Sequence, residues 1–133
     1  MKFKQLLIYL MFSTQIMAQS FNGEYKSLLT SFKSEIDSTR NYKEKAEFNL
    51  LISNEYIVIQ DIRLPKKLLI YKCKKPLKKL FNIFIKESCN NEHMENNSKS
   101  NITFYNSKNK LNLMISDKES SQVFFNLIKN KLK

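Results

Sequence analysis

The chain has 133 residues, of which 23 are Lys or Arg and 12 are Asp or Glu, so its formal net charge at pH 7 is +11. This length allows one small domain rather than two. Only two of the cationic residues are arginines, Arg40 and Arg63, and arginine is the residue preferred for bidentate contacts with bases and phosphates. Specific nucleic-acid binding is therefore not expected, whereas peripheral association with anionic surfaces is.

The first residues are typical of a secretory signal peptide. Two lysines precede a short apolar run, Leu6 to Phe12, and the small residue Ala18 follows at the expected cleavage point. The run is much shorter than the roughly 20 apolar residues that span a bilayer. The sequence predicts export to the periplasm or the outside, with residues 1–18 removed. Residues 19–133 are expected to form a single β-rich domain without a transmembrane segment.

The predicted mature chain alternates between apolar and polar residues with a period of two, which indicates β-strands. Polar segments at 53–55 and 106–110 separate alternating stretches and predict hairpin turns. Longer polar loops are expected at 33–46 and 88–100. The sequence predicts a mainly β fold, a single antiparallel meander or small barrel of about eight short strands. These predicted strands are 23–26, 48–52, 56–60, 68–73, 81–86, 101–105, 111–116 and 122–127.

Two segments also fit helices. Ser116 to Glu119 resembles a helix-start capping box, and apolar residues follow it at helical spacing. A C-terminal helix at 117–131 would make the fold α+β. Leu28, Leu29, Phe32 and Ile36 recur at helical spacing and allow a short early helix. The period-two pattern favours the sheet for both segments.

The first predicted strand begins with Phe21-Asn22-Gly23-Glu24-Tyr25. A phenylalanine, a glycine and then an aromatic residue, ahead of about eight strands, resembles the start of lipocalins and fatty-acid-binding proteins. The resemblance implies a small β-barrel with an internal pocket for an apolar ligand. Those families usually have tryptophan where this chain has Tyr25, and the chain has no tryptophan. No binding residue is carried over, and Gly23 is interpreted locally as a tight turn after Asn22.

The two cysteines, Cys73 and Cys89, make one disulfide the default expectation for an exported chain. A simple hairpin of 68–73 with 81–86 opposes this bond. It would place Cys89 about eight residues along the strand from the partner of Cys73, on the order of 26 Å away. A disulfide needs a Cα separation below about 7 Å.

A helix at 77–87 is the alternative that suits the disulfide. It would place Leu77, Leu80, Phe81 and Phe84 on one face, and lysines on the other. The connection 74–76 could then fold back and join the cysteines. Phe81, Ile83 and Ile85 alternate strictly, however, and Ile and Phe prefer strands. The strand interpretation is therefore favoured, with the cysteines apart.

Few residues suggest catalysis or metal binding. Gly23 is the only glycine, which excludes the glycine-rich loops that cradle phosphates. His93 is the only histidine, and it follows Cys89 in a polar loop without the paired ligands of a zinc site. A Cys–His nucleophile pair would need a thiolate within reach of His93. We assign no catalytic, cofactor-binding or metal-binding residue, and expect a non-enzymatic protein without a cofactor.

Two functions remain. The first is an exported β-rich binding or interaction protein of unknown ligand, which the lipocalin-like resemblance makes an apolar small molecule. The second is a protein that binds membranes or other anionic surfaces through the Lys-rich segment 66–86, where Leu77, Leu80 and Phe81 would insert. Its expected contacts are Lys74, Lys75, Lys78 and Lys79, together with Lys66, Lys67 and Lys72.

Overall fold

Extended strands account for most of the chain. A computed structural model describes residues 21–92 and 99–130, and within them it contains ten strands and one short 3₁₀ turn, Ser38–Arg40. The strands are β1 (Gly23–Ser34), β2 (Tyr42–Ile52), β3 (Tyr56–Asp61), β4 (Leu68–Lys72), β5 (Lys78–Leu80), β6 (Ile83–Asn91), β7 (Lys99–Ser107), β8 (Lys110–Ser116), β9 (Ser120–Phe125) and β10 (Ile128–Lys129).

Eight of these strands close into an antiparallel barrel. Their order is β1-β2-β3-β4-β6-β7-β8-β9, and β9 pairs with β1 to complete the ring. The two short strands continue their neighbours: β5 follows β4 along β6, and β10 follows β9 along β1. The predicted mainly β fold is confirmed, and the meander is a closed barrel.

Alternate residues of the strands fill the inside of the barrel, because successive side chains of a strand point to opposite faces. On β2, for example, Phe48, Leu50 and Ile52 are buried, whereas Leu51 is exposed. The middle of the barrel is thus occupied by packed side chains. The buried apolar residues are Tyr25, Phe48, Leu50, Ile52, Ile57, Ile59, Tyr71, Cys73, Cys89, Ile102, Phe104, Leu113, Ile115, Phe124 and Leu127.

The helices considered from the sequence do not form. The C-terminal segment contains β9 and β10, the segment from 77 contains β5 and part of β6, and the early segment is mostly β1. The residues resembling a capping box build a turn instead. The Asp117 carboxylate accepts hydrogen bonds from the backbone N–H groups of Glu119 and Ser120, each at 2.8 Å. A capping side chain satisfies a β-turn by the same chemistry as a helix start.

The two long loops expected from the sequence are shorter than predicted. β1 continues to Ser34 and β2 begins at Tyr42, so their connection is 35–41 rather than 33–46. β6 likewise continues to Asn91 before β7 begins at Lys99. Their polar composition was misleading because backbone groups make the strand hydrogen bonds whatever the side chains on the solvent face.

Gly23 is the first residue of β1 rather than the centre of a tight turn. Its φ is +143°, a conformation that side chains with a Cβ rarely adopt. A Cβ there would also lie 2.9 Å from the Cε atom of Lys129 on β10. The Lys129 side chain is flexible and could move aside, so the backbone conformation is the main reason for glycine at this position.

The antiparallel order gives the barrel two different ends. The turns 53–55, 81–82 and 108–109 lie together at one end, which we call the hairpin end, along with the start of β1. The connections 35–41, 62–67 and 117–119 lie at the opposite end, which we call the loop end. The side chains of functional interest are concentrated at the hairpin end.

Candidate functional site

The turn between β5 and β6 places an aromatic ring in solvent. Leu80 pairs with Ile83, so Phe81 and Asn82 form a two-residue turn. Phe81 has a φ of +53° and is 94% exposed. Glycine or asparagine usually occupies such a position, because a left-handed backbone is unfavourable for a bulky side chain. The turn therefore holds a large apolar side chain where neither its conformation nor its burial stabilises the fold.

Four exposed lysines lie on the same hairpin as this ring or on the connection that leads to it. Lys74, Lys75, Lys78 and Lys79 are all exposed on β5 or on the connection leading to it. Lys78 lies 3.7 Å from Glu87, and Lys79 lies 5.8 Å from the centre of the Phe84 ring. The predicted surface lysines thus cluster on one hairpin, and Glu87 is the acidic residue that the described structure pairs with them.

The sequence around the hairpin explains why acidic residues neutralise so few of these lysine charges. No acidic residue occurs between Asp61 and Glu87, although this interval contains eight lysines and Arg63. Two more lysines, Lys108 and Lys110, lie at the same end of the barrel in the turn between β7 and β8 and beside it. The hairpin end therefore combines an exposed aromatic ring with an excess of positive charge.

A disulfide joins Cys73 to Cys89, with a Cα separation of 4.3 Å. The expectation that the cysteines lie apart was wrong, because it assumed a hairpin with its turn at 74–80. β4 instead pairs with the far end of β6: Lys72 lies opposite Asn90, and Cys73 follows directly opposite Cys89. The sequence then continues into β5, which pairs with the near end of β6. Strand and disulfide are therefore compatible, contrary to the sequence argument.

A change of register makes this arrangement work. Between the β4 and β5 pairings the connection 73–77 has one more residue than the part of β6 opposite it. On the other side of β6, the pairing with β7 also shifts between Lys86 and Cys89. Ser88 has a φ of +56° there, and its N–H donates to the Asn101 side chain at 3.1 Å. This β-bulge turns Cys89 towards the core.

A cleft opens between the barrel and the start of the described chain at the hairpin end. It has a volume of about 270 Å³. Phe21 lies across the barrel mouth, stacked on Phe104 at 4.7 Å between ring centres and edge-on to Phe84 at 5.0 Å. Ile52 and Leu77 complete the apolar part of the lining. The cleft is thus an apolar opening at the rim of the barrel.

Lys86 supplies the charged group of this cleft. It is only 6% exposed, and its ammonium donates to the backbone carbonyls of Ser53 and Asn54 at 3.2 and 2.5 Å. Burial lowers the pKa of Lys86 below its ordinary value, and the charge of Glu55 partly opposes this shift. In the part of the chain that the structure describes, no carboxylate forms an ion pair with Lys86.

Lys86 is the functional residue that sequence reasoning missed. The strand prediction placed Phe81, Ile83 and Ile85 on one face, and on the opposite face Phe84 packs against the core and Lys86 is buried beyond it. The sequence contained one signal: Phe84 and Lys86 are two residues apart and share a face of any strand. A lysine is rarely assigned to a core face, because burying its charge is costly.

Metal and nucleophile chemistry find little support in residues 21–92 and 99–130. No group of three or more His, Cys, Asp or Glu residues there is placed to hold a metal ion. His93 lies outside the described residues. Both cysteine sulfurs are engaged in the disulfide, so neither supplies the thiolate that a Cys–His pair would require. The described helical content also includes no segment long and apolar enough to cross a membrane.

Comparison of the chain with protein-family models, with curated proteins and with solved structures finds no significant match.

Proposed function

We propose that this protein is an exported, non-enzymatic binding protein that docks on anionic membrane surfaces through the tip of its β5–β6 hairpin. The observation that carries the proposal is the exposed ring of Phe81 in a left-handed turn. Such a residue weakens the isolated fold, and a local cost of this kind is a reason to look for a function. A membrane interface would remove the ring from water.

The energies suit a reversible peripheral contact. Full burial of a phenylalanine side chain contributes about 1.5–3 kcal/mol. Each lysine near an anionic leaflet adds about 1 kcal/mol, and this attraction is lost within a Debye length of the surface. Lys78 and Lys79 lie on β5 just before the tip, Lys74 and Lys75 lie nearer the base of the hairpin, and all four are exposed. One apolar side chain and several charges together suit a reversible peripheral attachment, which is weaker than stable anchoring by a lipid chain.

The disulfide supports the same role by fixing the base of the hairpin. Cys89 lies six residues after Ile83 along β6, which places the bond roughly 20 Å of strand from the tip. The bond and the pairing of β6 with β7 hold this length in place. A pre-organised hairpin loses less conformational entropy on binding than a flexible loop of the same composition.

Binding to phospholipid vesicles tests the proposal. The purified protein is mixed with vesicles of phosphatidylcholine alone, or of phosphatidylcholine with phosphatidylglycerol, and the bound fraction is measured by sedimentation at low and high salt. We expect binding to the anionic vesicles that weakens as salt rises. Phe81→Asn and the double variant Lys78/Lys79→Gln should each weaken it at least tenfold.

The matched control changes the same number of charges at the other end of the barrel. Lys66 and Lys67 are exposed residues of the 62–67 connection at the loop end. Lys66/Lys67→Gln should therefore retain most of the binding. The proposal fails if anionic vesicles do not bind the protein, if neither hairpin variant weakens binding, or if the control variant weakens it as much.

A second candidate is the ligand-binding role that the lipocalin-like resemblance implies. Its support is the closed eight-stranded barrel together with the apolar cleft at the hairpin end. Because packed side chains fill the middle of the barrel, the cleft at the rim is the favoured position for a ligand. The ligand would then be a small molecule, since the cleft volume of about 270 Å³ lies just below the range of about 300–1,000 Å³ for ligand pockets.

A further inference from the structure

Among the described residues, the buried ammonium of Lys86 finds fewer hydrogen-bond acceptors than it has N–H donors. An ammonium group has three N–H donors, and the carbonyl oxygens of Ser53 and Asn54 accept from two of them. Neutral carbonyl oxygens stabilise the ammonium group by hydrogen bonding but do not neutralise its positive charge. A buried charge is usually paired with an opposite charge, since its removal from water is costly. Lys86 is therefore suited to a third acceptor that is itself anionic.

The turn that Lys86 contacts is already held by other groups. The Asn22 side-chain amide donates to the Asn54 side chain at 2.8 Å, and the Cys73 N–H donates to the Glu55 carbonyl at 2.7 Å. Ser53 and Tyr56 close the turn with a backbone hydrogen bond of 2.9 Å. Stabilising this turn consequently does not by itself require a buried lysine.

The surroundings of Lys86 define the remainder of the ligand. Phe21, Ile52, Leu77 and Phe104 line the cleft, and two of them present aromatic rings. A flat apolar group stacks well on such rings. A cleft of about 270 Å³ admits one ring with a short side group rather than a drug-sized molecule. The ligand is therefore compact and largely apolar.

We propose that the cleft binds a small apolar monocarboxylate, whose carboxylate accepts a hydrogen bond from the Lys86 ammonium while its apolar part contacts Phe21 and Phe104. This inference rests on the second candidate function, small-molecule binding at the rim of the barrel. It adds the chemical class of the ligand and the residue that recognises its charge.

Phenylacetate and phenylacetamide form the test pair, because they have nearly the same size and differ in charge. Binding of each to the purified protein is measured by titration calorimetry and by the chemical shifts of the Phe21 and Leu77 amides. We expect saturable binding of phenylacetate that is at least tenfold tighter than that of phenylacetamide. Lys86→Met, which keeps the apolar stem, should bind both equally, whereas the exposed-site control Lys110→Met should keep the preference.

A second variant protects the test against misfolding of Lys86→Met. Leu77→Trp narrows the cleft and leaves Lys86 in place, so it should lose phenylacetate binding while remaining folded by circular dichroism. Equal binding of the two compounds by the parent protein would overturn carboxylate recognition but leave small-molecule binding intact. Binding of neither compound would overturn both. Membrane docking is decided separately by the vesicle experiment, which contains no carboxylate ligand.

Discussion

Two hairpins at the same end of the barrel differ in what their turns present. The β7–β8 turn consists of Lys108 and Asn109, both with positive φ, of 53° and 63°. This is the backbone of a type I′ turn, where asparagine is a favoured residue and both side chains are polar. The β5–β6 turn places Phe81 at a φ of 53° with its ring in water.

This difference shows that folding stability alone does not explain the residue at the β5–β6 tip. The residues of the β7–β8 turn follow turn chemistry, so folding alone accounts for them. Phe81 breaks the same rules on a hairpin that also carries the disulfide and the clustered lysines. Departures of a sequence from local structural preference are expected at functional sites. The comparison between the hairpins is therefore the observation on which the proposed membrane binding of the β5–β6 tip rests.

The largest expected effect comes from removing the disulfide, which should destabilise the β5–β6 hairpin more than the β7–β8 hairpin. Replacing both cysteines, Cys73→Ser with Cys89→Ser, should lower the free energy of unfolding by about 3 kcal/mol, the usual contribution of a bond closing a loop of this length. Urea denaturation measures this loss. Hydrogen exchange should accelerate at 78–86 more than at 103–115. Equal acceleration in both hairpins would show that the bond does not act locally on the tip.

A smaller effect of opposite sign is expected at the tip itself. Phe81→Asn should raise the free energy of unfolding by about 0.5–1 kcal/mol, since asparagine tolerates the left-handed conformation that costs most residues about 1–2 kcal/mol. Little packing is lost, because the ring is exposed. Lys108→Asn in the other turn is the control, and it should leave vesicle binding largely intact. A destabilised Phe81→Asn protein would mean that the ring contributes to the fold.

The smallest expected effect is a pH dependence of the free energy of unfolding that arises from Lys86, which lies on the inner face of the same hairpin. The pKa of Lys86 in the folded protein lies below its ordinary value of 10.5. Between these two values the unfolded chain binds more protons than the folded one, so stability from this residue rises with pH. At pH values below the folded-state pKa of Lys86, the buried side chain is charged, and the full cost of burying that charge lowers the free energy of unfolding.

Four tyrosines oppose this trend, because burial raises their pKa values and their contribution to stability falls as pH rises through their ordinary pKa of 10.0. They are Tyr25, Tyr42, Tyr71 and Tyr105. The informative measurement is therefore the difference in unfolding free energy between the parent and Lys86→Met, followed from neutral pH to about pH 10. This difference should shift in favour of the parent as pH rises. A difference that stays constant over this range would contradict a charge-burial cost at Lys86.

Much of the fold followed from local sequence pattern. The alternation of apolar and polar residues predicted the strands 48–52 and 56–60, which lie within β2 and β3. The polar residues Ser53 to Glu55 predicted their turn. The strand ends were less predictable. Tyr42 to Glu47 belong to β2 although this stretch is polar, because a strand needs only one apolar face and its pairing is made by the backbone.

The candidate site was predictable in composition but not in geometry. The exposed lysines of the β5–β6 hairpin were identified from sequence, since charge is a property of each residue and most lysines are exposed. Lys86 was missed and the cysteines were placed apart, because both depend on the partner of β6 and on its bulge. A shift of one residue in register moves side chains to the opposite face of a strand.

The sequence by itself determined that the chain is strand-rich, that its positive charge concentrates between Asp61 and Glu87, and that two cysteines are available for one bond. Periodicity and charge are local properties, so they can be read without a structure. Only the tertiary structure decided that the strands close into a barrel, that Cys73 faces Cys89, and that Lys86 enters the rim cleft. These outcomes depend on pairings between distant residues, which alternation alone does not specify.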